Sequence, residues 1–227
     1  MSEPVQTCWT LILGAARGVE GDVDVFVALY GPVARSYFEA RWPASPNAQR
    51  VDDAVQDVFV ECFKHGGVLA RAAPDKLQSF RAFLLGVARN IGRRFETAAG
   101  GSREIQPDTL FDPEEDAADA HLSRVFDRAW ARAIMREAGE RQRERAAIGG
   151  PDAVRRVELL SLHFGEGLPV REIARRWDAE LKPLHRELEK ARAEFQEALR
   201  DVMRVHDPHC VDSVEKEMAR LMDLLAA

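Results

Sequence analysis

Apolar residues recur along this chain at intervals of three and four positions, and no stretch alternates apolar and polar residues long enough for a β-strand. This spacing predicts an all-α protein. The first helical region carries the apolar positions Val25, Phe26, Leu29, Tyr30, Val33, Tyr37 and Phe38. Pro32 is better suited to the start of a helix than to its middle, so a break is predicted near Gly31.

Two further helices are predicted before residue 98. The first covers residues 51–64 and stops at Gly66; its apolar side contains Val51, Val55, Val58, Phe59 and Cys62. The polar residues Asp53, Gln56, Asp57 and Glu61 fall away from that side. The second helix follows a loop around Pro74 and carries Phe80, Phe83, Leu84, Val87, Ala88 and Ile91 at helical spacing.

Helical periodicity stops after Thr97 in a run of small residues and does not resume until about residue 119. Seven acidic residues and no Lys or Arg lie between Glu104 and Asp119. This segment is interpreted as an acidic linker. The sequence supports two roles for it equally: a disordered, solubilising spacer, or a segment that binds a partner. The chain is therefore divided into a domain at 15–97, a linker at 98–118, a second domain at 119–200 and an amphipathic C-terminal extension at 201–227.

The second domain contains a helix-turn-helix pattern. One apolar face, formed by Val170, Ile173, Ala174 and Trp177, is followed by a corner at residues 178–180 and a second face with Leu184, Leu188, Ala191, Phe195 and Leu199. Pro183 falls in the first turn of the second helix, where its missing N–H costs little. The exposed front of that helix carries Lys182, His185, Arg186, Glu189 and Lys190, a mainly basic surface that the major groove of DNA could accept.

Composition and charge narrow the function classes. With 227 residues, 46% hydrophobic and 31% charged, the chain has the composition of a folded protein. The net charge of the whole chain, −6, argues against nucleic-acid binding. Its distribution does not, because residues 80–94 contain no acidic residue and carry Arg81, Arg89, Arg93 and Arg94. The apolar run at residues 9–13 is too short for a signal peptide or a membrane span, so we expect a cytoplasmic protein that does not insert into membranes.

Cysteine and histidine give little support to a metal site. The three cysteines are far apart and form no CxxC pair, which predicts reduced thiols. His206, His209 and Cys210 could bind zinc, but no fourth ligand accompanies them, so a structural reading is favoured and no metal is predicted. A metal-dependent hydrolase built on this cluster is kept as a third hypothesis.

Three segments, in the order 51–60, 80–94 and 171–199, resemble the hallmark parts of extracytoplasmic-function sigma factors. The resemblance implies two helical domains that bind core RNA polymerase and promoter DNA, with no catalytic residue and no cofactor. It implies polymerase contacts, to the β′ clamp and the β subunit, through Asp53, Gln56, Asp57 and Phe59. Minus-ten contacts are implied for Arg89, Asn90, Arg93 and Arg94, and minus-thirty-five contacts for Arg171, Lys182, His185, Arg186, Glu189 and Lys190.

The chain departs from the family pattern at the corner of the helix-turn-helix, where Asp178, Glu180 and Pro183 replace a glycine, a small hydroxyl residue and a threonine. An aspartate tolerates the left-handed backbone that a glycine provides there. The alternative function is a helix-turn-helix regulator that binds DNA without polymerase and uses its first half for sensing or dimerisation. Whether an anti-sigma protein, phosphorylation or the C-terminal extension regulates the protein is left open.

Overall fold

The computed structural model describes residues 19–64, 80–97 and 117–206, together with the single positions 14, 218, 219, 222 and 223. These residues form seven α-helices and no strand, which confirms the all-α prediction. In chain order the helices are α1 (Glu20–Arg41), α2 (Val51–Phe63), α3 (Phe80–Thr97), α4 (Ala117–Gly149), α5 (Pro151–Leu160), α6 (Val170–Arg176) and α7 (Leu181–His206). The loop around Pro74, most of the predicted linker, and His209 with Cys210 lie outside the described residues.

Helix α1 runs without interruption through Pro32, so the predicted break near Gly31 is wrong. A proline inside a helix costs about 3 kcal/mol because it removes a hydrogen bond and crowds the preceding turn. Phe26 and Tyr30 before the proline, and Tyr37 and Phe38 after it, are completely buried on the same side of the helix. Each such side chain stabilises the fold by roughly 1.5–3 kcal/mol, so burial outweighs the local preference.

The chain divides into two compact units, and the division falls inside α4. One unit contains the described residues up to Ala133 and those from Arg204 onward, and the other is Ile134–Met203. The sequence placed the boundary at 118/119 instead. The first half of α4 belongs to the first unit because its aromatic side chains pack there: the ring of Phe126 lies 6.4 Å from Tyr37 and that of Trp130 lies 5.2 Å from Tyr30.

In the first unit, α1, α2 and α3 pack against one another around an aromatic core. Phe80, at the start of α3, contacts both Phe26 and Tyr30, with ring centroids 5.7 Å and 5.1 Å away. Five consecutive residues of α3, from Leu84 to Ala88, are buried. Because successive helical residues point 100° apart, this segment of α3 is covered on every side.

In the second unit, α5, α6 and α7 enclose a small core of Leu159, Val170, Ile173, Ala174, Leu184 and Leu188, with Trp177 packed against it. The corner between α6 and α7 places Asp178 at φ 47°, in the left-handed region. Pro183 is the third residue of α7, in its first turn, as predicted. Gln142 in the second half of α4 is buried and donates a 3.0 Å hydrogen bond to the carbonyl of Ala191, which ties α4 to α7.

Candidate functional site

A mainly apolar groove of about 810 Å³ runs between α1 and α2. Its lining residues are Val23, Val27, Gly31, Pro32, Arg35, Asp52, Val55, Gln56, Phe59, Val60, Phe63 and Lys64. Val60 is 54% exposed and Val27 is 38% exposed, so apolar side chains on both walls of the groove face solvent. The groove is therefore an apolar surface that the described part of the first unit leaves open to solvent.

The four predicted polymerase-binding residues occupy different positions on α2. Gln56 is exposed and lines the groove, whereas Phe59 forms its floor, because its ring is buried and lies 6.0 Å from Phe26. Asp53 is exposed and Asp57 is half-buried, and neither lines the groove. The α1 wall, with Val23 and Val27, was missed by the sequence analysis because only the packing of α1 against α2 creates it.

An ion pair at the rim joins the two walls of the groove. Arg35 of α1 donates a hydrogen bond to Asp52 of α2, and its guanidinium also lies 3.8 Å from Glu39. The hydrogen bond to Asp52 raises the pKa of Arg35, with a smaller contribution from Glu39, against the opposing effect of partial burial. The pair places charge at one end of the apolar wall and joins α1 to α2 at the surface, where such pairs contribute little stability.

The arginine-rich helix α3 does not present its four predicted DNA-binding residues as one open surface. Arg93 is exposed, but Arg89 and Asn90 are half-buried. The guanidinium of Arg94 lies 3.8 Å from Glu61, a buried carboxylate that also pairs with Lys64 at 2.7 Å. Part of the positive charge of α3 is therefore directed toward acids of the same unit.

The first half of α4 supplies further partners to the basic residues of the first unit. Ser123 accepts a 2.7 Å hydrogen bond from Arg89, and Asp127 accepts one from Arg81. Asp119 lies 3.8 Å from the guanidinium of Arg41. These three α4 residues were not predicted as partners of the arginines, although their spacing of four places them on one helical face.

Arg41 and Glu96 join the C-terminal ends of α1 and α3 by a bidentate ion pair, with both hydrogen bonds 2.7 Å long. The indole of Trp42 donates a third hydrogen bond, of 2.9 Å, to the same carboxylate. Partial burial raises the pKa of Glu96, but the hydrogen bonds from Arg41 and Trp42 outweigh it and leave the pKa below its ordinary value. The cluster fixes the orientation of α3 relative to α1.

All predicted DNA-contacting residues of the helix-turn-helix are exposed: Arg171, Lys182, His185, Arg186, Glu189 and Lys190. The five on α7 follow a spacing of three and four and therefore share one side of the helix. Lys190 pairs with Glu187 at 2.7 Å, which reduces its contribution to the positive charge of that side. The described structure thus leaves this side of α7 open to a ligand.

Helix α7 is held from behind by α5. Arg156 pairs with Glu194 at 2.7 Å and with Glu187 at 3.5 Å. The hydrogen bond from Lys190 lowers the pKa of Glu187, and Arg156 contributes in the same direction. Arg155 of α5 lies over the ring of Trp177 at 4.7 Å. These contacts fix the direction in which the exposed side of α7 points.

The described residues provide no group of three or more His, Cys, Asp or Glu side chains that could hold a metal ion. The side chain of His206, like His209 and Cys210, falls outside them. Among the helices that the structure describes, none has both the length and the apolar character to cross a membrane.

No protein-family model matches the chain, and no curated protein sequence is significantly similar to it.

Proposed function

We propose that the protein is a sigma factor of the extracytoplasmic-function type, which binds core RNA polymerase and directs it to promoters. The observation that carries the proposal is the open apolar groove between α1 and α2, lined by Gln56 and floored by Phe59. Both residues belong to the segment that resembles the polymerase-binding helix of this family. Polymerase binding would account both for the exposed apolar surface and for the polar residues beside it.

The groove has the features of a docking site for a helix. Peptide helices bind apolar grooves through side chains on one face, and exposed valines such as Val27 and Val60 supply the contact area. Asp53 and Gln56 are exposed on the same helix and would fix the direction of the partner by polar contacts. We assign this surface to the clamp of the β′ subunit.

Promoter DNA would be engaged by both units. The exposed side of α7 would enter the major groove at the minus-thirty-five element, where Arg186 and Lys182 can reach bases and phosphates. Arg93 on α3 would hold phosphate near the minus-ten element. Strand opening would be driven by binding energy, without hydrolysis of a nucleotide, because contacts to the unstacked base would offset the cost of unstacking it, about a few kcal/mol.

Val60→Glu tests the polymerase surface directly, because it places a charge at the open side of the groove. Val154→Glu is the matched control, since Val154 is 49% exposed and lies on α5 in the other unit. We expect wild type and Val154→Glu to co-purify with the β and β′ subunits of a sigma-free core enzyme, and Val60→Glu to lose that association. Equal retention of core enzyme by both variants would reject the groove as the docking site.

The same experiment separates the sigma factor from a regulator that acts alone. Charge reversal at Asp53 and Asp57 should reduce polymerase binding by a sigma factor, whereas a regulator would keep its DNA binding and its function. Binding of duplex DNA by all variants, with no association of wild type with core enzyme, would favour the regulator.

A further inference from the structure

The first half of α4 presents a polar row to the basic residues of the first unit. Asp119, Ser123 and Asp127 are spaced four residues apart and therefore lie along one side of the helix. The side chains of Asp119 and Asp127 are only 21% and 13% exposed, so these carboxylates point into the unit. A helix whose acids face inward needs cationic partners.

Each member of this row contacts an arginine that is distant in sequence. Asp127 pairs with Arg81, Ser123 accepts a 2.7 Å hydrogen bond from Arg89, and Asp119 lies 3.8 Å from Arg41. Two of these arginines belong to α3, the helix to which we assign contact with the minus-ten strand. Asp127 and Ser123 thus accept hydrogen bonds from guanidinium groups of α3, and guanidinium groups are also the usual partners of phosphate oxygens.

The same segment of α4 also makes apolar contacts with the rest of the first unit. The indole of Trp130 stacks on Tyr30 at 5.2 Å, with an angle of 21° between the rings, and lies 6.1 Å from Phe80. Phe126 lies between Ser123 and Asp127 in the sequence, is completely buried and has its ring 6.4 Å from that of Tyr37, so aromatic contacts accompany the polar row along the segment. Substitutions in the polar row can weaken its contacts with the arginines without removing Phe126 or Trp130.

We propose that the first half of α4, residues 117–133, is an internal cover that competes with promoter DNA for the arginines of α3. The proposal rests on the proposed sigma function, because that function assigns DNA contact to α3. In the free protein the cover is closed, and the carboxylates of Asp119 and Asp127 place negative charge beside the arginines. Binding to polymerase and promoter displaces the polar row and releases Arg81 and Arg89.

Asn90, the residue after Arg89, has a hydrogen-bond donor that is not satisfied in the closed state. Its amide nitrogen is buried and has no hydrogen-bond partner among the described residues. An unsatisfied buried donor destabilises the state that contains it. Contact of this amide with water or with a DNA base would recover that loss.

The test is the affinity of the free, full-length protein for a labelled single-stranded DNA oligonucleotide of random sequence, measured by fluorescence anisotropy. The double variant Asp119→Asn/Asp127→Asn removes two charges from the polar row. Its control, Glu140→Gln/Glu144→Gln, removes two charges from exposed positions on the second half of the same helix, also four residues apart. We expect the row variant to bind at least about fivefold more tightly than the control, with a steeper salt dependence because more phosphates are contacted.

A variant in the opposite direction covers the case in which the row variant does not fold. Ser123→Asp replaces the hydrogen bond to Arg89 by an ion pair and should strengthen the cover. Ala147→Asp adds the same charge at an exposed position of the second half of α4. We expect Ser123→Asp to bind single-stranded DNA more weakly than Ala147→Asp, while far-UV circular dichroism shows that both keep their helical content.

Equal affinity within each pair, or no measurable binding by any variant, would overturn the cover. Transcription with core polymerase then decides separately about the proposed function. Specific starts by the wild type, together with equal affinities, leave the sigma assignment in place and reject the cover. Unequal affinities without any association with core polymerase reject the sigma assignment and show that the polar row restricts access to α3 in a protein of another kind.

Discussion

The ion pair between Arg41 and Glu96 allows a prediction about stability to be worked out from its geometry. Glu96→Gln keeps the shape of the side chain but replaces one carboxylate oxygen by an NH₂ group. Arg41 donates to both oxygens at 2.7 Å, so in the variant one of its N–H groups would face another donor. Trp42 can keep its 2.9 Å bond only by taking the remaining oxygen.

The expected loss follows from the burial of the two partners. A hydrogen bond to a charged group contributes about 1.5–3 kcal/mol when it is well buried. Arg41 is 14% exposed but Glu96 is 39% exposed, so solvent screening reduces this contribution toward the range of about 0.2–1 kcal/mol for surface pairs. We expect Glu96→Gln to lower the free energy of unfolding by about 1–2 kcal/mol at neutral pH.

The dependence on pH has a definite sign. The pKa of Glu96 in the folded protein lies below its ordinary value of 4.5, because its hydrogen bonds to Arg41 and Trp42 outweigh the effect of burial. A carboxylate with a depressed pKa contributes stability above the unfolded-state pKa, and this contribution is lost as the pH falls through the folded-state pKa. The difference between wild type and variant should therefore be constant from neutral pH down to about pH 5 and shrink below it.

Urea unfolding followed by far-UV circular dichroism measures this difference. Glu39→Gln is the control, because Glu39 lies 3.8 Å from Arg35 on the surface of α1 and its side chain is 58% exposed. We expect the control to change stability by less than about 0.5 kcal/mol. A loss in Glu96→Gln no larger than in the control, or a loss that grows as the pH falls, would refute the reasoning.

Three further predictions test the packing. Gly92→Ala should destabilise the protein although alanine favours helices, because its Cβ would lie 2.9 Å from Nε of Arg41. Gly139→Ala should instead stabilise the protein by about 0.5–1 kcal/mol, because the nearest atom to its Cβ is Arg143 Nη1, at 3.7 Å. Urea unfolding compares the two variants. Cys62 should react with a thiol reagent no faster than the protein unfolds, because its side chain is buried. Burial, and to a smaller extent Glu61, also raises the pKa of its thiol. Fast labelling of Cys62, located by mass spectrometry, would contradict its burial. Asp178→Ala should lower the melting temperature by an amount that corresponds to about 1 kcal/mol, whereas Asp178→Gly should not, because φ is 47° at this position.

Local periodicity was sufficient to predict most of the helices. Pro183 lies in the first turn of α7, and the corner at Asp178 lies where the pattern of the helix-turn-helix placed it. These features depend on residues within a few positions of one another. The exposed residues of α7 were also predictable, because side chains opposite a buried helical face point to solvent.

The features that the sequence did not reveal depend on contacts between distant segments. The continuity of α1 through Pro32 required the knowledge that both halves of the helix are buried by the same core. Asp119 was counted with the acids of the linker, because nothing in the local pattern indicates that it lies near Arg41. The α1 wall of the groove, and the burial of α3 on every side, likewise become visible only when the helices are packed together.

We propose that core RNA polymerase binds in the groove between α1 and α2 and that the protein thereby directs it to promoters. Runoff transcription with sigma-free core enzyme on a pool of promoter fragments tests it most directly, with wild type, Val60→Glu and Val154→Glu compared at equal concentration. We expect specific starts with wild type and Val154→Glu and their loss with Val60→Glu. Starts that are equally strong with Val60→Glu, or wild type that binds DNA but never associates with core enzyme, would contradict it.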